Sequence, residues 1–190
     1  MTQSFDPTPQ PQLSPSPVPD ERAIAAQRVQ AAIAELTRKM KSGANNFYWI
    51  AALSVINSLI LEFGGNSYFV VGLASTLLVD SFFVEFARQM PETGIIIKLI
   101  GLAISIFIAV IFVFFGFFAN KGKRWAFIVG MVFYGVDTLI MLAFQEWMGL
   151  IFHGLFLFGL FGGIRALNQL QKLTLPQQSR QTDFPQNIGT

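Results

Sequence analysis

Five apolar segments alternate with short polar stretches along this chain: Phe47 to Phe63, Tyr68 to Ala87, Ile95 to Ala119, Trp125 to Phe144, and Met148 to Ile164. Each is nearly free of charge for roughly 17 to 25 residues, the length a helix needs to cross a hydrocarbon layer. The second segment differs from the rest. It carries Asp80 and Glu85 with Arg88 just beyond, and Ser81, Glu85 and Arg88 recur at i, i+4 and i+7, so its second half has a wet stripe. That pattern suits an interfacial or re-entrant helix. The expectation is therefore an all-α, polytopic membrane helical bundle of four transmembrane helices plus one such helix. Five spans are the alternative, because Tyr68 to Ala87 is long enough to cross if Asp80 is sheltered.

The basic residues support four spans. Lys and Arg near span ends are retained on the cytoplasmic side. Arg38, Lys39 and Lys41 precede the first span, Lys121, Lys123 and Arg124 join the third segment to the fourth, and Arg165 and Lys172 follow the fifth. With four spans, 11 of the 13 basic residues share one side and only Arg88 and Lys98 lie opposite. With five, the last two clusters land outside. The acidic turn Gln145, Glu146, Trp147 and the carboxylates of Glu62, Asp80, Glu85 and Glu92 then fall on the outer side, and both termini face the cytoplasm.

The flanks read differently. Residues 1–19 belong to a tract with six of the chain's nine prolines, no basic residue and no apolar run, so it is not a secretory signal peptide and is expected to be disordered, a tether or a docking segment. Residues 20–43 read as a cytoplasmic amphipathic helix, with Asp20 placed to cap it and Gly43 placed to stop it. Val29, Ile33, Leu36 and Met40 share one stripe, away from Arg28, Glu35 and Lys39. Such a helix would lie on the membrane surface or form a short coiled coil with a second copy. Residues 44–172 make the bundle, and 173–190 a disordered, Gln-rich tail.

Composition strengthens this picture. The chain is 53% hydrophobic and 13% charged, more apolar surface than a water-soluble core of this size absorbs. There is no cysteine, which excludes disulfides, thiol catalysis, iron–sulfur clusters and cysteine-ligated zinc. A net charge of +2, with the basic residues beside hydrophobic segments, argues against nucleic acid as a partner. The partners expected instead are the lipid bilayer and a second copy or another membrane-complex component.

Polar groups inside apolar spans are costly, so they are the places to look for chemistry. On the first span Ala51, Ser54, Ser58 and Glu62 share a face with Asn57 at its edge, which suits hydrogen bonding between helices. Asp137 lies in the fourth span and His153, the single histidine, in the fifth. Counting about 1.5 Å per residue from the Gln145 to Trp147 turn puts Asp137 roughly 12 Å deep, and His153 and Asn57 each roughly 9 Å deep. The candidate cluster is thus Asn57, Glu62, Asp137 and His153, read as a stabilising pair, a proton or ion site, or a ligand site. Gly159 and Gly163 in the last span, and Gly101, Ser105 and Ala109 in the third, have the small-residue spacing that lets helices approach closely.

Enzyme templates fail. No Gly-x-Ser-x-type nucleophile turn occurs near the histidine, one histidine without cysteine is a poor transition-metal site, and GFFANKGKR spaces its glycines wrongly for a phosphate loop and has Arg124 where Ser or Thr belongs. No catalytic residue, metal or cofactor is expected. The leading expectation is a non-enzymatic structural or accessory component of a membrane complex. The competing one is a small proton-linked transporter or channel using Glu62, Asp137 and His153, oligomeric like the small multidrug exporters. Against it, Phe112, Phe114, Phe115, Phe117 and Phe118 would seal the inner half.

The runs FYWIAALSVINS at 47–58, GGNSYFVVGL at 64–73 and KGKRWAFIVGMVFYGVDTLI at 121–140 resemble a group of small bacterial membrane proteins of unknown function, over about residues 44 to 172. The resemblance implies a bacterial inner-membrane protein with a compact helical bundle. It brings no activity and no catalytic residues.

Overall fold

The structure, a computed structural model, describes residues 21–63 and 72–182, with side chains through Thr174. It contains five helices: α1 Glu21–Glu62, α2 Ala74–Gln89, α3 Gly94–Asn120, α4 Arg124–Ala143 and α5 Trp147–Thr182. No strand occurs among the described residues. Four of the helices, all but α2, are long and apolar enough to cross a membrane. The outward faces of the bundle are apolar: Leu139 is 62% exposed, Leu155 61% and Phe107 66%. Contiguous apolar surface of this kind has a low free energy only against lipid or another apolar surface.

The helix ends follow from local chemistry. α2 stops before Pro91, whose ring disfavours helical geometry at Met90, observed at φ −127° and ψ 74°. α3 closes in a Schellman motif: the Lys123 N–H donates to the Phe118 carbonyl at 3.0 Å and the Gly122 N–H to Ala119 at 2.9 Å. Gly122 supplies the left-handed residue this needs, at φ 73°. The α4 end repeats the pattern with Glu146 on Met141, Gln145 on Leu142, and Gln145 in the left-handed position at φ 57°.

Gly43 does not stop a helix. α1 is continuous over 42 residues, about 63 Å at 1.5 Å per residue, and the expected boundary at 43 falls in its middle. The physical reason is the contact made there. A Cβ on Gly43 would overlap the backbone of Gly163 and approach the Gly159 carbonyl at 3.0 Å, so α1 and α5 cross nearly backbone to backbone. Gly159 meets the Asn46 side chain, whereas Gly162 faces open space. The small-residue spacing in α5 therefore serves contact within one chain.

Beyond this crossing, α1 and α5 leave the bundle together at its basic end. Met40 and Leu167 both reach Gly122, and Leu36 and Leu170 pack against the same core. The stripe of Val29, Ile33, Leu36 and Met40 is half-buried to buried, while Arg28, Glu35 and Lys39 are exposed. At the Leu36 to Met40 level the stripe is covered by α5, where the sequence pointed to a membrane surface or a second copy. α5 itself continues to Thr182, past the tail boundary expected at 173. The tails at 1–19 and 183–190 lie outside the described residues.

The core in the basic half is aromatic. Phe47, fully buried, sits among Phe112, Phe115 and Phe127 at centroid separations of 6.4, 6.1 and 6.2 Å, and its ring lies against Gly130. The expected phenylalanine seal is thus partly reassigned. Phe112 and Phe115 close the interior, but Phe114 and Phe117 point outward, 50% and 47% exposed. Their i, i+3 spacing puts them on the face opposite the core.

Candidate functional site

In the half of the bundle away from the basic end, the polar side chains gather around the start of α2. Leu73, in extended conformation just before the helix, is fully buried, as is Thr76 in its first turn. The first backbone N–H groups of a helix have no partner within it, and inside an apolar bundle each needs an acceptor. Three acceptors are supplied from other helices. The Leu73 N–H donates to Ser54 Oγ of α1, the Ala74 N–H to Asp137 Oδ2 of α4, and the Ser75 N–H to Asp137 Oδ1, each at 2.8 Å. The carboxylate also faces the positive end of the α2 dipole. α2 is therefore a short helix whose N-terminus is held among α1, α3 and α4.

His153 completes the arrangement from α5. It is fully buried and stacks on Tyr134, with centroids 4.7 Å apart and planes within 8°. One ring nitrogen, Nδ1, is 2.8 Å from the Gly149 carbonyl, and Nε2 is 3.1 Å from Asp137 Oδ2. A carbonyl only accepts, so Nδ1 carries a hydrogen. The second contact is then a hydrogen bond only when another proton lies between Nε2 and Oδ2. With both bonds made, the pair has no net charge, which suits an apolar interior.

Sequence depth counting paired Asp137 with His153, and the fold brings them together. Asn57 is placed differently. It is 3% exposed, and its amide lies against Gly72, where a Cβ would overlap Asn57 Nδ2, so it packs on the chain entering α2. Glu62, the fourth member of the expected cluster, stands apart from the pair. It sits at the end of α1, where Lys98 Nζ is 3.8 Å from Glu62 Oε2 and donates to the Glu62 carbonyl at 3.3 Å. Asp137 and His153 thus form one site, and Glu62 belongs to another, nearer the bundle end.

That second group was not read from the sequence. Asp80, assigned by charge placement to the outer side, is 4% exposed, and Ser105 Oγ of α3 donates to its Oδ1 at 2.6 Å. The signal was present: Thr76, Asp80 and Ala87 line one face of α2, opposite Ser81, Glu85 and Arg88, which are exposed as expected. Asp80 is sheltered, and the described helix α2 spans only Ala74–Gln89, 16 residues.

A cleft of about 240 Å³ opens outward between α3 and α4, lined by apolar side chains except for Ser75 and Asp137. Among the described residues no group of three or more His, Cys, Asp or Glu could hold a metal ion. These features define a helical protein with four apolar helices fit for a membrane and a fifth, shorter helix pinned against them by its N-terminus. No family model matches the chain, and no curated protein or solved structure is significantly similar to it.

Proposed function

We propose that this chain is a non-enzymatic, multi-pass component of a bacterial inner membrane, structural or accessory to a larger membrane complex. The observation that carries this reading is the occupation of the Asp137–His153 pair. Both carboxylate oxygens accept backbone N–H groups of α2, and both imidazole nitrogens have partners. A pair whose four polar atoms all have partners serves as a staple, and a carrier group would need a free position. Among the described residues, the aromatic packing of Phe47, Phe112, Phe115 and Phe127 beyond it provides no polar route to the basic end.

Proton flux into liposomes carrying the full-length protein tests this reading. The wild type is expected to leak no faster than protein-free vesicles, and Asp137→Asn to leak equally while melting at a lower temperature. A wild-type flux that Asp137→Asn abolishes without loss of folding would establish the transporter reading instead.

Orientation follows from the same physics. Arg38, Lys39, Lys41, Lys121, Lys123, Arg124 and Arg165 cluster at the end from which α1 and α5 project, and this end is assigned to the cytoplasm. Ser42 and Thr93 are both exposed, at opposite ends of the bundle. With an impermeant thiol reagent outside intact cells, Thr93→Cys is expected to label and Ser42→Cys to remain unlabelled. The reverse pattern, or labelling of neither, contradicts the assignment.

A further inference from the structure

The two buried carboxylates are treated unequally by the fold. Asp137 has a donor for each oxygen. Asp80 has one, Ser105, and its Oδ2 has no hydrogen-bond partner among the described residues. Ser58 Oγ of α1 is fully buried and equally unpartnered, although it lies beside that carboxylate, close enough to stabilise its charge but outside hydrogen-bond geometry. No Lys, Arg or His among the described residues lies within ion-pair distance of Asp80. A buried carboxylate with a single donor and no counter-charge is unfavourable unless it takes up positive charge.

The charged groups around it come from two helices. From α1, Glu62 stands one turn beyond Ser58, with Oε2 buried and without a hydrogen bond. From α3, Lys98 pairs with Glu62 at 3.8 Å. Asp137 of α4 and His153 of α5 are committed to the first turn of α2 and to each other. Ser54, Ser58 and Glu62, at i, i+4 and i+8, make a polar edge on α1 that runs inward from the bundle end. It stops at Ile50 and Phe47, which belong to the aromatic core.

We propose that Asp80, with Ser58 and Ser105, forms a one-sided site for a small monovalent cation, a proton or sodium, reached past Glu62 and Lys98. Hydroxyl and carboxylate oxygens are the hard donors such a cation prefers. Because the track ends at Phe47, the cation is bound and released on the same side. Occupancy is therefore read out as the stability of α2 against α1 and α3, without transport, and the site is independent of the staple at Asp137.

The full-length protein in lipid nanodiscs, followed by tryptophan fluorescence on heating, tests this. Sodium is titrated at pH 8 in choline chloride of constant ionic strength, and pH is varied separately without sodium. Binding to the folded state alone raises the melting temperature by about 3–5 °C per tenfold increase in cation beyond half-saturation. A response to sodium at fixed pH identifies sodium; a response only to falling pH identifies the proton. Asp80→Asn, neutral and of the same shape, is expected to melt at or above the unliganded wild type and to respond to neither. Subtracting its pH profile also removes any contribution from Asp137 and His153. Ser58→Ala and Ser105→Ala are expected to shift the midpoint about tenfold without abolishing the response. The site is overturned if the wild type is indifferent to both cations, or if Asp80→Asn keeps the wild-type response. Should Asp80→Asn not fold, unchanged midpoints in both serine variants overturn it.

Discussion

Asp137→Ala is expected to lower stability by roughly 3–5 kcal/mol, the range for removing one member of a buried, hydrogen-bonded charged pair. Truncation removes the acceptor for the Ala74 and Ser75 N–H groups and the partner of His153 Nε2, groups that are buried except at Ser75, which is half-buried. Unpaired donors in such a place keep their full desolvation cost. Ser54→Ala removes one acceptor only, that of the Leu73 N–H, and is expected to cost about 1 kcal/mol. Equilibrium unfolding in mixed micelles measures both. Hydrogen exchange supplies a local readout, because the Ala74 and Ser75 amides should exchange faster in Asp137→Ala while those of the α1–α5 crossing keep their protection. An Asp137→Ala variant within 0.5 kcal/mol of the wild type would mean that the carboxylate does not hold α2.

The second large effect is steric. Gly43→Ala is expected to destabilise by about 1–3 kcal/mol, the usual cost of overpacking, even though alanine is the better helix former. The added methyl meets backbone atoms of Gly163 and the carbonyl of Gly159, and main chain cannot swing aside as a side chain can. Gly162→Ala is the matched control. Its Cβ meets nothing within 4 Å, so only the propensity gain remains, about 0.5–1 kcal/mol in the stabilising direction. Opposite signs for two Gly→Ala changes in one protein separate packing from propensity. If Gly43→Ala is as stable as Gly162→Ala, α1 and α5 do not cross at this point.

Gly43 also shows how far local reading reaches. A glycine after an amphipathic run is a sound stop signal, because a left-handed cap and a close helix crossing both require a missing side chain. Only the neighbour distinguishes them, and Gly163 is 120 positions away in the chain. The stripe of Val29, Ile33, Leu36 and Met40 posed the same difficulty. Periodicity shows that a face is apolar, and it is silent on whether lipid, a second copy or α5 covers it.

The candidate site divides along the same line. Asp137 and His153 were legible because a tight turn makes depth computable on both sides at 1.5 Å per residue. Asn57 and Glu62 lie on a helix with no such turn to its partners, and their places depended on Gly72 and on Lys98, respectively. The burial of Asp80 was not read because its own helix carries Glu85 and Arg88 one and two turns on, which made the whole half-segment read as wet. Those two side chains face outward and pair at 3.1 Å, while Asp80 faces α1 and α3.

What the sequence determined alone is the all-helical class, the four helices fit to cross a membrane and the separate nature of the second apolar segment. Each follows from the length and charge content of a contiguous run, and these are local quantities. The tertiary structure decided the rest: Asp137 caps the N-terminus of α2, α5 covers the apolar stripe of α1 beside Met40, and Asp80 has one donor among the described residues. Each depends on which backbone N–H, carbonyl or carboxylate oxygen lies opposite another across helices far apart in the chain, and hydropathy along one strand of sequence carries no record of that.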